Sequence, residues 1–272
     1  MKLQVSHKTT YRFEPAMQGL VQSLRLTPSI FDGQMTSDWR IDVAGATSGA
    51  GFRDGSGDWI ETATLLGDVT QASVTVSGLV QTTDLAGVLK GHREVTPPLT
   101  YLRATRATYA DVALKTLVGD ALAGSAGASG LETAHILASA VAGAIAYRPG
   151  ETHNATTAAE ALALGAGVCQ DHAHALIAAA HTAGMPARYV IGYLHSSEDG
   201  SAHEASHAWA EIHVHDLGWV GFDPSNQCSP DERYIRLGSG FDSVDAAPIR
   251  GLAQGAGAEK LDVDVAIQQV AQ

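Results

Sequence analysis

The chain has 272 residues, of which 45% are hydrophobic, and its 17 basic against 29 acidic residues give a formal net charge of -12. This composition predicts a soluble globular protein, and the negative charge disfavours binding to nucleic-acid phosphates and to acidic membrane surfaces. The first residues lack the apolar core of a signal peptide, and no later segment has the apolar length of a membrane span. We therefore expect a cytoplasmic protein with neither nucleic acid nor membrane as partner, in which Cys169 and Cys228 are free thiols.

Alternating apolar and polar residues dominate the first third of the chain. The alternation covers residues 3–13 and returns at residues 39–43 and 74–76, with the turn-rich stretch 54–58 between them. A period of two is typical of half-buried strands, and no convincing amphipathic helix precedes about residue 95. The sequence therefore predicts an N-terminal antiparallel β-sandwich over residues 1–97.

Helical periodicity follows the Pro97-Pro98 pair, and we assign residues 98–257 to a second domain. Thr108 to Asp111 has the form of a capped helix start, and Gly119 offers a stop. Apolar spacing predicts a second helix over residues 131–147.

A shorter helix and a final strand complete the prediction. Thr157 and Glu160 form a capping-box pattern, and Gly165 can close the helix that they open. Near the end of the chain, residues 261–265 alternate as a strand, so we predict that residues 258–272 return to the first sheet.

Cys169 lies in the first turn of a helix predicted from Val168 to Ala183, with Gly184 as its C-terminal cap. The unpaired amides and the positive dipole end at this position favour thiolate over thiol and can hold an oxyanion. On its own, however, the cysteine is weak evidence for catalysis, because free cysteines are often buried and the helix has an apolar face typical of a core element.

A β-hairpin is predicted downstream, with His207 and Trp209 on one face of its first strand. A three-residue loop at 215–217 would place Asp223 opposite Trp209 and diagonal to His207, on the same face, whereas a four-residue loop would separate the two side chains. The sequence does not choose between these registers, although Gly218 can supply the left-handed residue of a bulge. In the first register, His207 can hold the thiolate and protonate a leaving amine, while Asp223 fixes the imidazole tautomer.

The 12 histidines of the chain raise the question of a zinc site. Those near the proposed site are His172, His174, His181, His203, His207, His213 and His215. On a helix, His172 and His174 point about 200 degrees apart, although His213 and His215 can share a strand face. Since a CxxC pattern is also absent from the sequence, we expect neither metal nor cofactor.

Four motifs in the second domain resemble those of a known family. They are Gly167 to Asp171, Gly184 to Tyr189 with Gly192-Tyr193, Ser206 to Trp209, and Gly218-Trp219 with Phe222 to Pro224. In this order they resemble the transglutaminase-like superfamily and, more narrowly, the bacterial transglutaminase-like cysteine peptidases. The opening strands and Leu24 to Pro28 are similar to the N-terminal region of those proteins, so the resemblance covers most of the chain.

This resemblance implies an α+β protein in which a β domain precedes a papain-like catalytic domain. It also implies Cys169 as nucleophile, His207 as base and acid, and Asp223 as orienting carboxylate. The chain departs from the family pattern where many relatives carry Gly-Arg-Asp-Tyr, because residues 240–243 read Gly-Phe-Asp-Ser. This departure removes a cation and a phenol, and we interpret Phe241 and Ser243 as packing residues. Ser225 is a milder change from the usual threonine.

We therefore expect a thiol-dependent amide hydrolase, either a cysteine peptidase or an amidase, acting on a protein or peptide substrate. A transglutaminase remains open, because transfer to an amine shares the first half-reaction. Hydrolysis is favoured because relatives are usually interpreted as peptidases and the sequence shows no calcium-loop signature. A non-catalytic peptide-binding module is the third alternative. The sequence does not encode the acyl acceptor, the oligomeric state or the role of the N-terminal domain.

Overall fold

A computed structural model of the chain describes residues 1–195 and 206–270. The N-terminal strands are β1 (Lys2–Leu24), β2 (Gln34–Val43), β3 (Thr47–Ser48), β4 (Phe52–Arg53) and β5 (Trp59–Thr82). After a 3-10 turn come α1 (Val112–Leu122), α2 (Gly130–Ala144), β6 (Ala146–Tyr147), α3 (Ala158–Leu164), β7 (Ala166–Gly167) and α4 (Cys169–Thr182). The last elements are β8 (Ala187–Leu194), β9 (Ser206–Val214), β10 (Gly218–Phe222), β11 (Tyr234–Gly240), β12 (Ile249–Gln254) and β13 (Ala258–Gln269).

The long strands β1 and β5 form the centre of an antiparallel sheet. They pair from Lys2 opposite Gln81 to Leu24 opposite Glu61. β2, β3 and β4 pair with β5, while β12 and β13 both pair with β1, so these strands form one seven-stranded sheet. The antiparallel, sheet-rich N-terminal region predicted from the alternation is confirmed. The return of the chain to this sheet begins at Ile249.

A second antiparallel sheet has the strand order β10-β9-β8-β11. Its neighbouring strands β8 and β11 contribute Tyr193 and Ile235 to a core that also contains Leu3 and Val76 of the first sheet. Ala210 and Ile212 of β9 belong instead to a core shared with the helices. The second sheet therefore lies between the first sheet and the helical layer, and both layers hold its strands in place.

The central helix α4 is buried from residue 171 to residue 180. Five of these ten residues are alanines, which let neighbouring elements approach the helix axis closely. The helix packs mainly against β9 and also contacts α2 and α3. Within the described part of the chain, no helix is long and apolar enough to cross a membrane.

The first two helices differ from their predicted bounds. α1 begins at Val112, after the N-cap Asp111, whose side chain accepts a hydrogen bond from the Leu114 amide, and it continues through Gly119 to Leu122. The predicted stop at Gly119 is wrong because a helical glycine costs only about 1 kcal/mol, which the packing of α1 through residues such as Val118 outweighs. α2 ends at Ala144, earlier than predicted, because residues 146–147 pair with β7 instead. The capping box and glycine end of α3 are confirmed.

A buried network of ion pairs connects the first third of the chain to the second sheet. The carboxylate of Glu211 accepts from Arg188 Nε at 2.7 Å and from Arg236 Nε at 2.8 Å. Arg236 also pairs with Asp58 at 2.9 Å, and Arg188 pairs with Glu94. Because these charges lie away from water, each depends on its partners for compensation.

Candidate active site

The Cys169 thiol lies at the N-terminus of α4, where it is half-buried. Val168 is the N-cap, and the side chain of Asp171 accepts a hydrogen bond from the Val168 amide at 2.8 Å. The same carboxylate oxygen accepts from the Thr152 hydroxyl at 2.6 Å. These bonds hold the first turn of the helix, whose first amides have no intrahelical partner. The predicted helix start is confirmed.

Gly167 is required by the close approach of the chain to Asp171. A Cβ added at Gly167 would lie 2.6 Å from the Cβ of Asp171 and 2.7 Å from its Oδ2. No real Cβ tolerates such a distance, so a larger residue would displace the capping carboxylate or the strand that leads into α4.

Replacing Gly167 with alanine is expected to destabilise the protein by about 1–3 kcal/mol, because the added methyl group overpacks this site. Gly119 is the matched control, since a Cβ there meets nothing within 4 Å. Gly119→Ala in α1 should stabilise the protein by about 0.5–1 kcal/mol. Denaturant unfolding of both variants tests the pair, and equal effects of the two substitutions would contradict the close-approach argument.

The register of the β9–β10 hairpin decides whether the predicted histidine and aspartate meet. Trp219 pairs with His213 and Phe222 with Ala210, so residues 215–217 form the three-residue loop. Gly218 has a φ of +81°, as a left-handed residue at this position requires. The next pair in this register would place Asp223 opposite Trp209, and His207 Nε2 lies 2.6 Å from Asp223 Oδ2. The structure therefore adopts the register that brings the two side chains together.

Asp223 is buried and accepts hydrogen bonds at both of its carboxylate oxygens. Oδ1 accepts from the Ser225 hydroxyl at 2.6 Å and from the amides of Ser225 and Asn226. Oδ2 accepts from Asn226 Nδ2 at 2.7 Å and from the Tyr234 hydroxyl at 2.8 Å. Burial alone would raise the pKa of Asp223, but the hydrogen bonds from His207, Ser225 and Asn226 outweigh it and hold that pKa well below its usual range. Ser225 thus supplies a hydroxyl at the position where relatives carry threonine.

His207 lies between the aspartate and the thiol. Burial opposes the charged imidazolium, but hydrogen bonds to Asp223 and to Cys169 outweigh the burial and raise the pKa of His207 to about 10. Because Nε2 faces Asp223, Nδ1 is the ring nitrogen left for the thiol. The three residues predicted from the sequence therefore form one connected line, with an imidazolium beside the sulfur.

Two further residues of this site were not predicted. Asn226 follows Asp223 by three residues, and its position in a turn after an aspartate is the local signal that could have identified it. Tyr234 has no such signal, because β11 reaches the site only by pairing with β8. Its ring meets those of His207 and Trp209 edge-on, with centroids 5.8 and 5.5 Å apart.

Cys228 has a different environment from Cys169. Its sulfur lies 3.2 Å from the Tyr234 hydroxyl, and its backbone pairs with that of Asp223 in an isolated bridge. Burial raises the pKa of the Cys228 thiol. It lies on no helix N-terminus, so its setting is that of a packed thiol and not of a nucleophile.

Phe241 and Ser243, which depart from the family pattern, both make packing contacts. The Phe241 ring lies 5.3 Å from the Tyr101 ring, and the Arg103 guanidinium lies 5.3 Å from the Phe241 ring. The Ser243 amide donates to Nε2 of His174 at 3.1 Å. Burial lowers the pKa of His174 to about 4, so this imidazole is a neutral acceptor inside the core.

The other histidines considered for a metal site do not converge. His172 directs its two ring nitrogens at the carbonyl oxygens of Val168 and Ile145, at 3.0 and 2.9 Å. Among residues 1–195 and 206–270, no three histidine, cysteine, aspartate or glutamate side chains are grouped as metal ligands. His203 lies outside the described residues.

Two protein families match this chain. Residues 3–81 match the bacterial transglutaminase-like N-terminal region, and residues 117–224 match the transglutaminase-like superfamily. The second match includes Cys169, His207 and Asp223.

Relatives and a solved structure agree with this assignment. The chain is 30% identical over 291 residues to the uncharacterized protein ML0607 of Mycobacterium leprae, with 99% of each chain covered. It is 34% identical over 149 residues to the uncharacterized protein Rv2569c of Mycobacterium tuberculosis, covering 52% of this chain and 47% of that protein. The crystal structure of a putative cysteine protease from Cytophaga hutchinsonii superposes with a TM-score of 0.73 at 19% identity, covering 100% of this chain and 92% of that one. This match confirms the α+β fold, and the chain belongs to the transglutaminase-like superfamily, with the bacterial transglutaminase-like N-terminal region ahead of the core.

Proposed function

We propose that the protein is a thiol-dependent amide hydrolase, a cysteine peptidase or amidase, that acts on protein or peptide substrates through Cys169, His207 and Asp223. The observation that carries this proposal is the connected line from the thiol at the start of α4 through His207 to Asp223. A nucleophile, a base within hydrogen-bonding reach and a group that orients the base are the arrangement needed for covalent catalysis at a carbonyl carbon.

The reaction follows from the positions of these groups. The Cys169 thiolate attacks the amide carbon, and the carbonyl electrons move to the oxygen, where the free amides of the first turn of α4 stabilise the charge. As the tetrahedral adduct collapses, the carbon–nitrogen bond breaks and the His207 imidazolium gives its proton to the leaving amine. The product is an acyl thioester on Cys169 and a neutral imidazole.

The second half-reaction restores the enzyme. Neutral His207 takes a proton from water, the resulting hydroxide attacks the thioester, and the carbon–sulfur bond breaks to release the acid and the thiolate. Asp223 remains ionised throughout and holds the ring through Nε2, so that Nδ1 faces the reacting atoms. An amine in place of water would give acyl transfer by the same steps.

Alkylation of Cys169 by iodoacetamide tests the activated pair without knowledge of the substrate. The variant Cys228→Ala removes the second thiol, so labelling reports on Cys169. The raised pKa of His207 keeps the imidazolium charged in acid and through neutral pH, and this charge is lost only as the pH rises through about 10. We therefore expect the alkylation rate to change little between about pH 6 and pH 9.

The comparison variant combines Cys228→Ala with His207→Ala. Without the imidazolium, the thiol should behave like a free cysteine with a pKa of about 8.5, so its alkylation rate at pH 6 should fall at least about 100-fold. Labelled protein is quantified by mass spectrometry at each pH. A steep rise in rate with pH in the parent, unaffected by His207→Ala, would overturn the proposal and favour a binding function.

A further inference from the structure

A groove runs between α2 and the segment that follows β10. One wall carries His135, Ser139 and Gly143 of α2, and the other carries Asp223, Pro224 and Cys228. The cavity between the walls has a volume of about 370 Å³, within the range of small-ligand sites. The other lining residues of α2 are Ala138 and Ala142, whose methyl side chains project little into the groove.

The groove lies at the same end of the domain as the Cys169 thiol. A Cβ added at Gly130, the first residue of α2, would lie 3.5 Å from the Val214 side chain. Val214 is at the opposite end of β9 from His207. The end of α2 leads to Ile145, whose carbonyl oxygen accepts from His172 in the first turn of α4. The direction of α2 therefore places Gly143 and the groove beside the N-terminus of the helix that carries the nucleophile.

The chemistry of the proposed function determines which part of a substrate is next to this groove. His207 protonates the leaving amine, so the amine is released on the His207–Asp223 side of the sulfur. Asp223 forms part of the groove wall on that side. We propose that the groove is the binding site for the amine side of the substrate, namely the polypeptide segment that leaves in the first half-reaction. This proposal rests on the proposed function.

The lining chemistry indicates the class of segment that the groove accepts. Among the described residues that line it there is no lysine, arginine or glutamate, and the titratable groups are Asp223, His135 and Cys228. The carboxylate of Asp223 is already compensated by its own hydrogen bonds. Apart from His135, the α2 wall presents small side chains, so the groove suits short, uncharged residues on the amine side of the scissile bond.

An acyl-transfer assay tests the groove without a known substrate. With 4-nitrophenyl acetate, the Cys169 thiolate attacks the ester carbon, 4-nitrophenolate leaves, and acetyl-Cys169 forms. A dipeptide amide can then attack the thioester through its amine, which releases the thiolate and gives an N-acetyl dipeptide amide, in competition with water. Bound in the groove, glycyl-alanine amide should intercept acetyl-Cys169 saturably and at least tenfold better than glutamyl-glutamate amide. Mass spectrometry of the acetylated product gives the ratio of transfer to hydrolysis.

Two helical glycines provide matched variants. A Cβ at Gly143, in the groove, and one at Gly119, on α1, both meet nothing within 4 Å, so each position accepts a larger residue without a backbone clash. Gly143→Leu should lower the ratio of transfer to hydrolysis at least tenfold, because the leucine fills the groove. Gly119→Leu should leave both the ratio and the rate of Cys169 labelling by iodoacetamide unchanged. Ser139→Phe provides a second blocked groove.

The outcomes separate this proposal from the one on which it rests. If 4-nitrophenyl acetate produces no acetyl-Cys169, the proposed function fails and the groove assignment fails with it. If acetyl-Cys169 forms but transfer to glycyl-alanine amide does not saturate, or if it is equal in parent, Gly143→Leu and Ser139→Phe, the groove assignment alone is overturned.

Discussion

Replacing Cys169 with alanine is expected to abolish hydrolysis of fluorescein-labelled casein, with a loss in rate of at least about 1000-fold. In the proposed mechanism the sulfur forms the acyl bond, and no water held by His207 and Asp223 can replace a thioester intermediate at comparable rate. The variant should keep its fold, because Cys169 is half-buried and its helix is held by Asp171 and by packing residues further along α4. Rates of fluorescence release at fixed protein concentration give the comparison.

Cys228→Ala is the matched control for this measurement. Its sulfur contacts the Tyr234 hydroxyl, and burial raises the pKa of its thiol, so it should contribute nothing to bond making. We expect the rate of this variant to remain within about threefold of the parent. The opposite pattern, with activity retained by Cys169→Ala and lost in Cys228→Ala, would contradict the assignment of the nucleophile.

Glu211→Gln is expected to destabilise the protein by about 3–5 kcal/mol at neutral pH, because it removes the shared anion from two buried guanidinium groups. Arg188 and Arg236 are both fully or almost fully buried, and the amide that replaces the carboxylate cannot neutralise either of them. Denaturant unfolding at pH 7 measures the change. Glu151→Gln, on an exposed loop, is the control and should alter the free energy of unfolding by less than about 0.5 kcal/mol.

The Glu211 carboxylate should also determine how the stability of the protein depends on pH. Burial alone would raise the pKa of Glu211, but the charges of Arg236 and Arg188 outweigh it and lower that pKa from 4.5 to about 2. A carboxyl group with a depressed pKa stabilises the folded state above its unfolded value and loses that contribution as the pH falls through its folded value. The parent should therefore lose stability between about pH 4.5 and pH 2 more steeply than Glu211→Gln. Equal slopes in this window would show that the network does not depend on the Glu211 charge.

Local sequence signals predicted the parts of the molecule that local interactions build. The capping box at Thr157 and the glycine at Gly165 fix α3, and the first-turn position of Cys169 follows from the helix that begins there. Each of these features depends on residues within a few positions of one another, so the pattern in the sequence contains the cause.

The hairpin register and the long-range contacts required the structure. Loops of three or four residues fit the sequence around Gly218 equally well, and only the observed pairing of Phe222 with Ala210 shows that His207 can meet Asp223. Tyr234 and the partners of Arg188 are remote in sequence: Glu94 lies 94 residues from Arg188. Such contacts arise when sheets pack together, and no periodicity along the chain records them.

Because β12 and β13 pair with β1, the region that contains the proposed triad begins and ends at the first sheet. The chain leaves that sheet at Thr82, passes through all three residues of the proposed triad and rejoins the same sheet at Ile249. Both ends of this region are thereby anchored to the first sheet, and the buried ion pair between Arg236 and Asp58 links its middle to the start of β5. Unfolding of the first sheet would release the strands on which His207 and Asp223 meet, so the two regions should form one cooperative folding unit.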